Sequence, residues 1–239
     1  TAKPAIHFDE HGVCSGCNYH ASKDKIDWDE RWHWLVALCE EHRSEDGSFD
    51  CIIPVSGGKD SHYQVWLLTT QLGMHPLLVW FNHGYNSALG LRNLRNLVRR
   101  SGCPLVKYDT SPEAARKLSR WSILDPRITD PTWHYHAGIM SYPIQVAVAK
   151  GIPLMFWGEE GFSEIVGMMT LDYLQQFTKW KRTEHSMRGV DVEDILATPA
   201  AVNEGITRDD LRPYVYPSDD AIESLGLRGL YLGNYIKWD

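Results

Sequence analysis

Apolar residues along this chain fall into short runs separated by longer stretches with helical spacing. Four runs read as strands, at about 51–55, 77–81, 105–108 and 152–157. Each is rich in branched or aromatic side chains and too short for a helix. Between them, Val65, Trp66 and Leu68 predict a helix over about 60–72 that ends before Gly73. Leu89, Leu91, Leu94, Leu97 and Val98 predict another over 87–100, stopped near Gly102. Ser111 followed by Pro112 marks a further helix start. After a loop holding Pro126 and Pro131, a helix is expected over 137–150. Upstream, Asp27 stands three residues before Glu30 in capping-box spacing, with Trp32, Leu35, Val36 and Cys39 as an apolar stripe. Strands alternating with helices predict an α/β fold with a doubly wound parallel sheet, helices on both faces.

The pattern changes at both ends of this core. Residues 1–24 read as a small N-terminal element, and 25–239 as one larger domain. From about 161 to 213 the chain turns polar and partly helical, as expected for an insertion or lid over the carboxyl ends of the strands. The stretch from Tyr214 onward reads as turn-rich.

A length of 239 residues suits one large α/β domain with a sizeable core. The net charge of −7, with no strongly basic block, argues against nucleic acid as the main partner. No apolar stretch approaches about 20 residues, so no membrane span is expected, and no signal peptide is visible. Five cysteines do not suit a disulfide framework, and a reducing, cytoplasmic setting is expected. The chain opens on Thr1 rather than Met and stops at Asp239, which suggests a processed or incompletely represented protein.

Candidate chemistry centres on Ser56-Gly57-Gly58-Lys59-Asp60-Ser61, between the first strand and its helix. A buried strand, a glycine turn and a helix N-terminus make an anion site. Gly57 and Gly58 are expected to take positive φ so that successive N–H groups form a nest for phosphate oxygens. Ser56 and Ser61 add hydroxyl donors and Lys59 a point charge. Asp60 would repel a bare phosphate and makes sense beside a cation such as Mg²⁺. The spacing is not that of a Walker A loop.

Ligands of open α/β sheets bind beyond the strand carboxyl ends at the switch point. If the first and fourth strands are neighbours, the loop faces Gly158-Glu159-Glu160. Glu159 is then a candidate for Mg²⁺ binding or proton transfer, Glu160 for substrate contact, and Gly158 for making room for a nucleotide. The plainer reading of both glutamates is a solvated helix start. Phe81, ending the second strand before Asn82, His83 and Gly84, offers backbone groups to an adenine. His134 and His136 are candidate bases or substrate contacts, or simply loop histidines. Lys179, Lys181 and Arg182 could bind an acidic substrate, though a solvated helix face is the plainer reading. Cys14 and Cys17 form half a zinc site, with His7, His11 or His20 available to complete it, or an inert thiol pair.

The glycine run resembles the SGGxDS signature of the PP-loop ATP pyrophosphatases. The series FDExGVCxxC, IDWxxR, DCIIPVSGGKDSHYQ, LLVxFNH, HAGI, WGEE and RGLYLGNYIKWD resembles the N-acetyl sugar amidotransferases of that superfamily, over nearly the whole chain. The resemblance implies an adenine nucleotide alpha-hydrolase-like fold and ATP with Mg²⁺ as cofactors. It implies a role in bacterial surface-polysaccharide, lipopolysaccharide or nonulosonate biosynthesis. The acetamido oxygen of a sugar or sugar nucleotide would attack the α-phosphorus of ATP, and ammonia would then displace AMP to leave an acetamidino group. Lys59, Asp60 and Glu159 carry the implied catalytic roles, and residues 56–61 with Phe81 and Gly158 the nucleotide. Ammonia would come from a separate glutaminase with a cyclase-like channel subunit. Two departures are the missing upstream CxxC and the stop at Trp238-Asp239, which leave Zn²⁺ and any later substrate contacts open. An alternative within the superfamily is an enzyme acting on tRNA, as a thiolase or lysidine-type ligase. A third is a non-catalytic adaptor.

Overall fold

A computed structural model of the chain describes residues 6–172 and 174–238. Five strands, β1 (Cys51–Pro54), β2 (Pro76–Asn82), β3 (Leu105–Asp109), β4 (Leu154–Trp157) and β5 (Arg228–Tyr231), form one sheet in the order β3-β2-β1-β4-β5. All four pairings are parallel, with Ile52 opposite both Leu77 and Met155. The order reverses between β1 and β4, so the phosphate-type loop after β1 and the Gly-Glu-Glu corner after β4 stand side by side.

The sheet is buried on both sides, which is why its central strands read as continuous apolar runs. Cys51, Ile53, Leu78 and Trp80 face a core built with α2 (Trp28–Glu41), α3 (Lys59–Trp66) and α4 (Ala88–Ser101). Ile52, Leu77, Val79 and Met155 alternate to the other face, against Ile144 and Ala147 of α6 (Trp133–Lys150). The doubly wound α/β architecture expected from the alternation is the one observed.

Local signals set several helix starts. Asp27 accepts from the Glu30 N–H (2.9 Å), Ser87 from the Gly90 N–H (3.1 Å), and Ser111 caps α5 (Pro112–Leu124). One helix end, one helix start and one strand differ from the sequence pattern. Five residues of the expected 60–72 helix, 67–71, continue α3 only as a wider π-turn before Gly73. Helix α6 begins at Trp133, four residues earlier than expected, because Trp133 is buried against Trp121 and Tyr214. The fifth strand, in the stretch read as turns, has only four residues. It starts on Arg228-Gly229, where a side chain at Gly229 would meet Phe177 Cβ at 2.9 Å.

Residues 161–214 carry α7 (Gly161–Val166), α8 (Val192–Leu196), α9 (Pro199–Glu204) and α10 (Arg208–Leu211). They are not uniformly polar: Met187, Val190, Ile195, Ala201 and Leu211 join Trp121 and Trp133 in a second core cluster. Helix α1 (Ser15–Ser22) packs on α7 so closely that Gly16 and Gly167 leave no space for a Cβ. The Ser15 hydroxyl donates to the Val166 carbonyl. Buried Lys23 donates to both Glu164 (2.8 Å) and the Trp238 carbonyl (2.6 Å), drawing the N-terminal element, α7 and the C-terminal segment to one point. Helix α11 (Asp219–Leu225) leads into β5.

Candidate active site

The loop after β1 is shaped by two unlike glycines. Gly57 has φ +82°, and a Cβ there would lie 2.8 Å from the backbone nitrogen of Leu94 in α4. Both the backbone angle and the close helix demand glycine. Gly58, expected to share the positive φ, instead has φ −72° and serves as the N-cap of α3. It carries no side chain to cap the helix, so the N–H groups of Lys59, Asp60 and Ser61 keep the unsatisfied donors of a helix start. Ser61, buried, accepts from the Ser56 N–H (2.9 Å), and Ser56 Oγ accepts from the Gly58 N–H (3.3 Å). These bonds hold the turn in place and leave the helix amides pointing outward as an anion nest.

Charge is arranged around that nest. Exposed Lys59 donates to Asp60 (2.8 Å), which raises the lysine above its usual range. Half-buried Glu159 is pushed up, first by burial and then by the neighbouring Asp60 carboxylate. Asp60 and Glu159 therefore approach each other from the two sides of the switch point. Among the described residues no group of three or more His, Cys, Asp or Glu gathers as a metal site. Two carboxylates beside a phosphate nest still suit Mg²⁺, which takes one or two carboxylates plus substrate phosphates and water. A cleft of about 300 Å³ beside the loop is lined by Lys59, Asp60, Tyr63, Lys237 and Trp238. The space beside Gly158, expected to admit a nucleotide, is taken by Gln64 Nε2 and Trp238, 2.3 and 3.2 Å from where its Cβ would stand.

Phe81 is buried by its ring against Tyr108 (5.5 Å) and Gly138. Its backbone is placed differently. The Val55 N–H bonds the Val79 carbonyl, while Leu78 and Asn82 bond toward β3. Strand alternation then directs the Phe81 N–H and C=O toward the β1 side, past the end of β1. That is the crevice next to the loop.

Other expected site residues are placed elsewhere. Glu160 caps α7, accepting from the Ser163 N–H (2.8 Å) and hydroxyl (2.7 Å), and is buried. Lys181, also buried, faces it at 3.6 Å and lies 4.8 Å from the Tyr231 ring centre. Burial lowers that lysine, while Glu160 opposes the shift. Arg182 pairs with Asp219 (2.9 Å), and Lys179 with the same carboxylate. Lys181 and Arg182 are thus buried in pairs with Glu160 and Asp219, while Lys179 reaches the same Asp219 from the surface, because the segment folds back onto α11 and β5. His134 and His136 stand in the first turn of α6 rather than in a loop.

Of the expected zinc half site, the structure shows, among the described residues, the cysteine pair alone. The Cys17 N–H donates to Cys14 Sγ (3.4 Å), which draws the Cys14 thiol down, while the Cys14 side chain beside it pushes the Cys17 thiol up. No third ligand joins them among the described residues. His20 is held by the Glu164 carbonyl (2.9 Å), and His11 lies beside Glu10. The donor set present does not fit a tetrahedral zinc ion, which needs four ligands.

Tyr63, Lys237, Trp238 and His83 reach the rim, though the sequence carried them only inside longer strings and gave them no role there. No spacing in the chain signals them, since Trp238 meets Tyr63 across more than half the sequence, ring centres 5.4 Å apart.

No family model matches the chain, and a search of curated proteins finds no match either. Among solved structures it is similar to NMN synthetase from Francisella tularensis, with TM-score 0.45 and 13% identity over 84% of this chain and 93% of that one. It is also similar to NH3-dependent NAD synthetase from Campylobacter jejuni in complex with the nitrate ion, with TM-score 0.43 and 12% identity over 84% and 92%. Likeness at this level fixes neither substrate nor reaction.

Proposed function

We propose that this chain is an ATP-dependent enzyme that activates an oxygen of its acceptor and releases diphosphate. The observation that carries this is the uncapped amide nest at the start of α3, flanked by Lys59, Asp60 and Glu159 at the switch point. Preorganised N–H donors aimed at developing charge are an efficient way to stabilise a leaving diphosphate. Asp60 and Glu159 would hold Mg²⁺, which would supply charge neutralisation there. The Phe81 N–H and C=O, directed past the end of β1, would read an adenine edge.

The acceptor, on the strength of the resemblance carried by WGEE, FNH and RGLYLGNYIKWD, is the N-acetyl group of a bacterial surface sugar. Ammonia from a glutaminase in trans, through a cyclase-like subunit, replaces the activated oxygen to give an acetamidino group. The tRNA-modifying alternative draws on one feature, the exposed Arg92, Arg95 and Arg99 on one face of α4. Three arginines in a chain of net charge −7 make a small footprint for a tRNA.

The test measures AMP and diphosphate release by mass spectrometry, with ATP, ammonium chloride and a panel of N-acetylated sugars and sugar nucleotides. Lys59→Ala and Asp60→Ala should reduce release at least hundredfold with an unchanged circular dichroism spectrum. Undiminished turnover in either variant would remove the role given to the loop. Release with tRNA and none with any sugar would favour the alternative.

A further inference from the structure

Behind the nucleotide crevice, the first turn of α6 meets the end of β2. His83, Tyr85, His134, Tyr135 and His136 form a continuous ring cluster there, with His83–Tyr135 at 4.8 Å, Tyr85–His134 at 5.8 Å and Tyr135–His136 at 4.5 Å. His83 follows β2 directly, and β2 neighbours β1, so the cluster shares the rim with the phosphate-type loop.

Hydrogen bonds fix how two of these imidazoles, His136 and His83, are protonated. Asp130 lies below its usual range: burial would raise it, but the Thr132 hydroxyl and N–H outweigh that. It is an acceptor only, so the Thr132 hydroxyl must donate to it (2.5 Å). That hydroxyl has one proton. Toward His136 Nδ1, 3.2 Å away, it can only accept, so Nδ1 carries the hydrogen. A neutral His136 then has its lone pair on Nε2. Burial lowers this histidine against the opposing pull of Asp130, and the ring remains exposed at its edge. His83 has the opposite arrangement: its Nδ1 accepts from the Tyr85 N–H (3.1 Å), so Nε2 is a donor. His134 is fully buried, and neither ring nitrogen reaches a partner within hydrogen-bond geometry. Polar groups in that condition call for a ligand or cost about 1–3 kcal/mol. Arg188, at φ +57°, pins Asp130 from the other side (2.7 Å).

We propose that His136 Nε2 is the proton acceptor for the nitrogen that attacks the activated acetamido carbon, with Thr132 and Asp130 as positioning residues. This rests on the amination reading above. The nitrogen lone pair of ammonia forms the new C–N bond, and His136 takes one proton from the resulting ammonium. AMP then leaves with the C–O electron pair, and the product is the amidinium. The groups facing His136 are Asp130, Arg188, His83 and His134. Burial and the Arg188 cation outweigh the one anion among them, Asp130, so the ring stays neutral near pH 7 and free to accept.

Two measurements on the full chain test this. With 15N-histidine labelling, long-range 1H–15N spectra should show His136 protonated at Nδ1, and Thr132→Val should abolish that preference. A ring protonated at Nε2 overturns the proposal. Second, AMP release is compared with ATP–diphosphate exchange, using ammonium chloride with UDP-N-acetylglucosamine and with N-acetylneuraminic acid. The ratio of release to exchange should fall at least hundredfold in His136→Gln, within the usual range for a lost general base. It should fall about tenfold in Thr132→Val and recover in Thr132→Ser. An unchanged ratio in His136→Gln overturns the proposal. No exchange by the unaltered protein with either probe overturns the amination reading itself, and the proton-acceptor role with it.

Discussion

At the scale of single residues, His134 is where burial and charge most plainly conflict. Its ring is fully enclosed, and burial, with His83 and His136 nearby, lowers it from 6.5 to about 4. In the unfolded chain the same ring takes a proton at its ordinary value. Between those two values the unfolded state binds more protons, so stability rises with pH and is lost as pH falls from about 6.5 toward 4. A shift of this size is worth about 3 kcal/mol at most. Melting temperature measured from pH 7.5 to 4 should fall most steeply in that window, and His134→Gln should flatten the slope. A slope unchanged by the substitution would mean that other groups carry the acid sensitivity. Gly57 is the contrasting case. Its glycine was legible because a strand–turn–helix junction needs one, but the crowding by Leu94 that forbids any replacement comes from a helix more than thirty residues on.

At the scale of elements, the start of α6 sets the distance between β2 and the ring cluster. Gly138 leaves its missing side chain to Phe81, whose ring atoms come to 2.2 Å of the absent Cβ. Gly138→Ala should therefore push α6 away from β2 or force Phe81 off its rotamer, at about 1–3 kcal/mol. Urea denaturation measures the loss. Activity should fall beyond what stability explains, because Tyr135 and His136 ride on the displaced turn. Equal stability would show that Phe81 has room to give. The helix itself was only partly legible. Its apolar stripe from 137 onward is readable, but the 133–136 turn has no periodic signal and is helical because Trp133 is drawn into a tertiary cluster. The same reason hid β5, whose four residues become a strand by pairing with β4.

At the scale of the whole molecule, buried Lys23 is the joint between three distant segments. Its ammonium reaches Glu164 and the Trp238 carbonyl, and Trp238 in turn lines the cleft beside Lys59 and Asp60. Lys23→Met keeps the stem and removes the charge, leaving Glu164 without that partner. The expected loss is about 3 kcal/mol or more, since one member of a buried pair is stranded. Trp238 should become more exposed, seen as a red shift in tryptophan emission relative to a Trp238→Phe control. Unaltered melting and emission would show that the C-terminal segment is held by its other contacts. Among the described residues no helix is long and apolar enough to cross a membrane.

What the chain determines by itself is set by short-range rules. Alternation of apolar runs and helical stripes dictated a parallel sheet with helices on both faces. The Gly-Gly-Lys run after a buried strand marked the nest, because turn chemistry and helix capping act within a few residues. Tertiary structure alone decided which charges remain available. Lys179, Lys181, Arg182 and Glu160 were candidates on residue type alone, and folding set Lys181 against Glu160 and the other two against Asp219. It likewise set Arg188 against Asp130 and, among the described residues, brought no third ligand to Cys14 and Cys17. Electrostatic pairing depends on distance in space, and nothing in the order of residues states that distance.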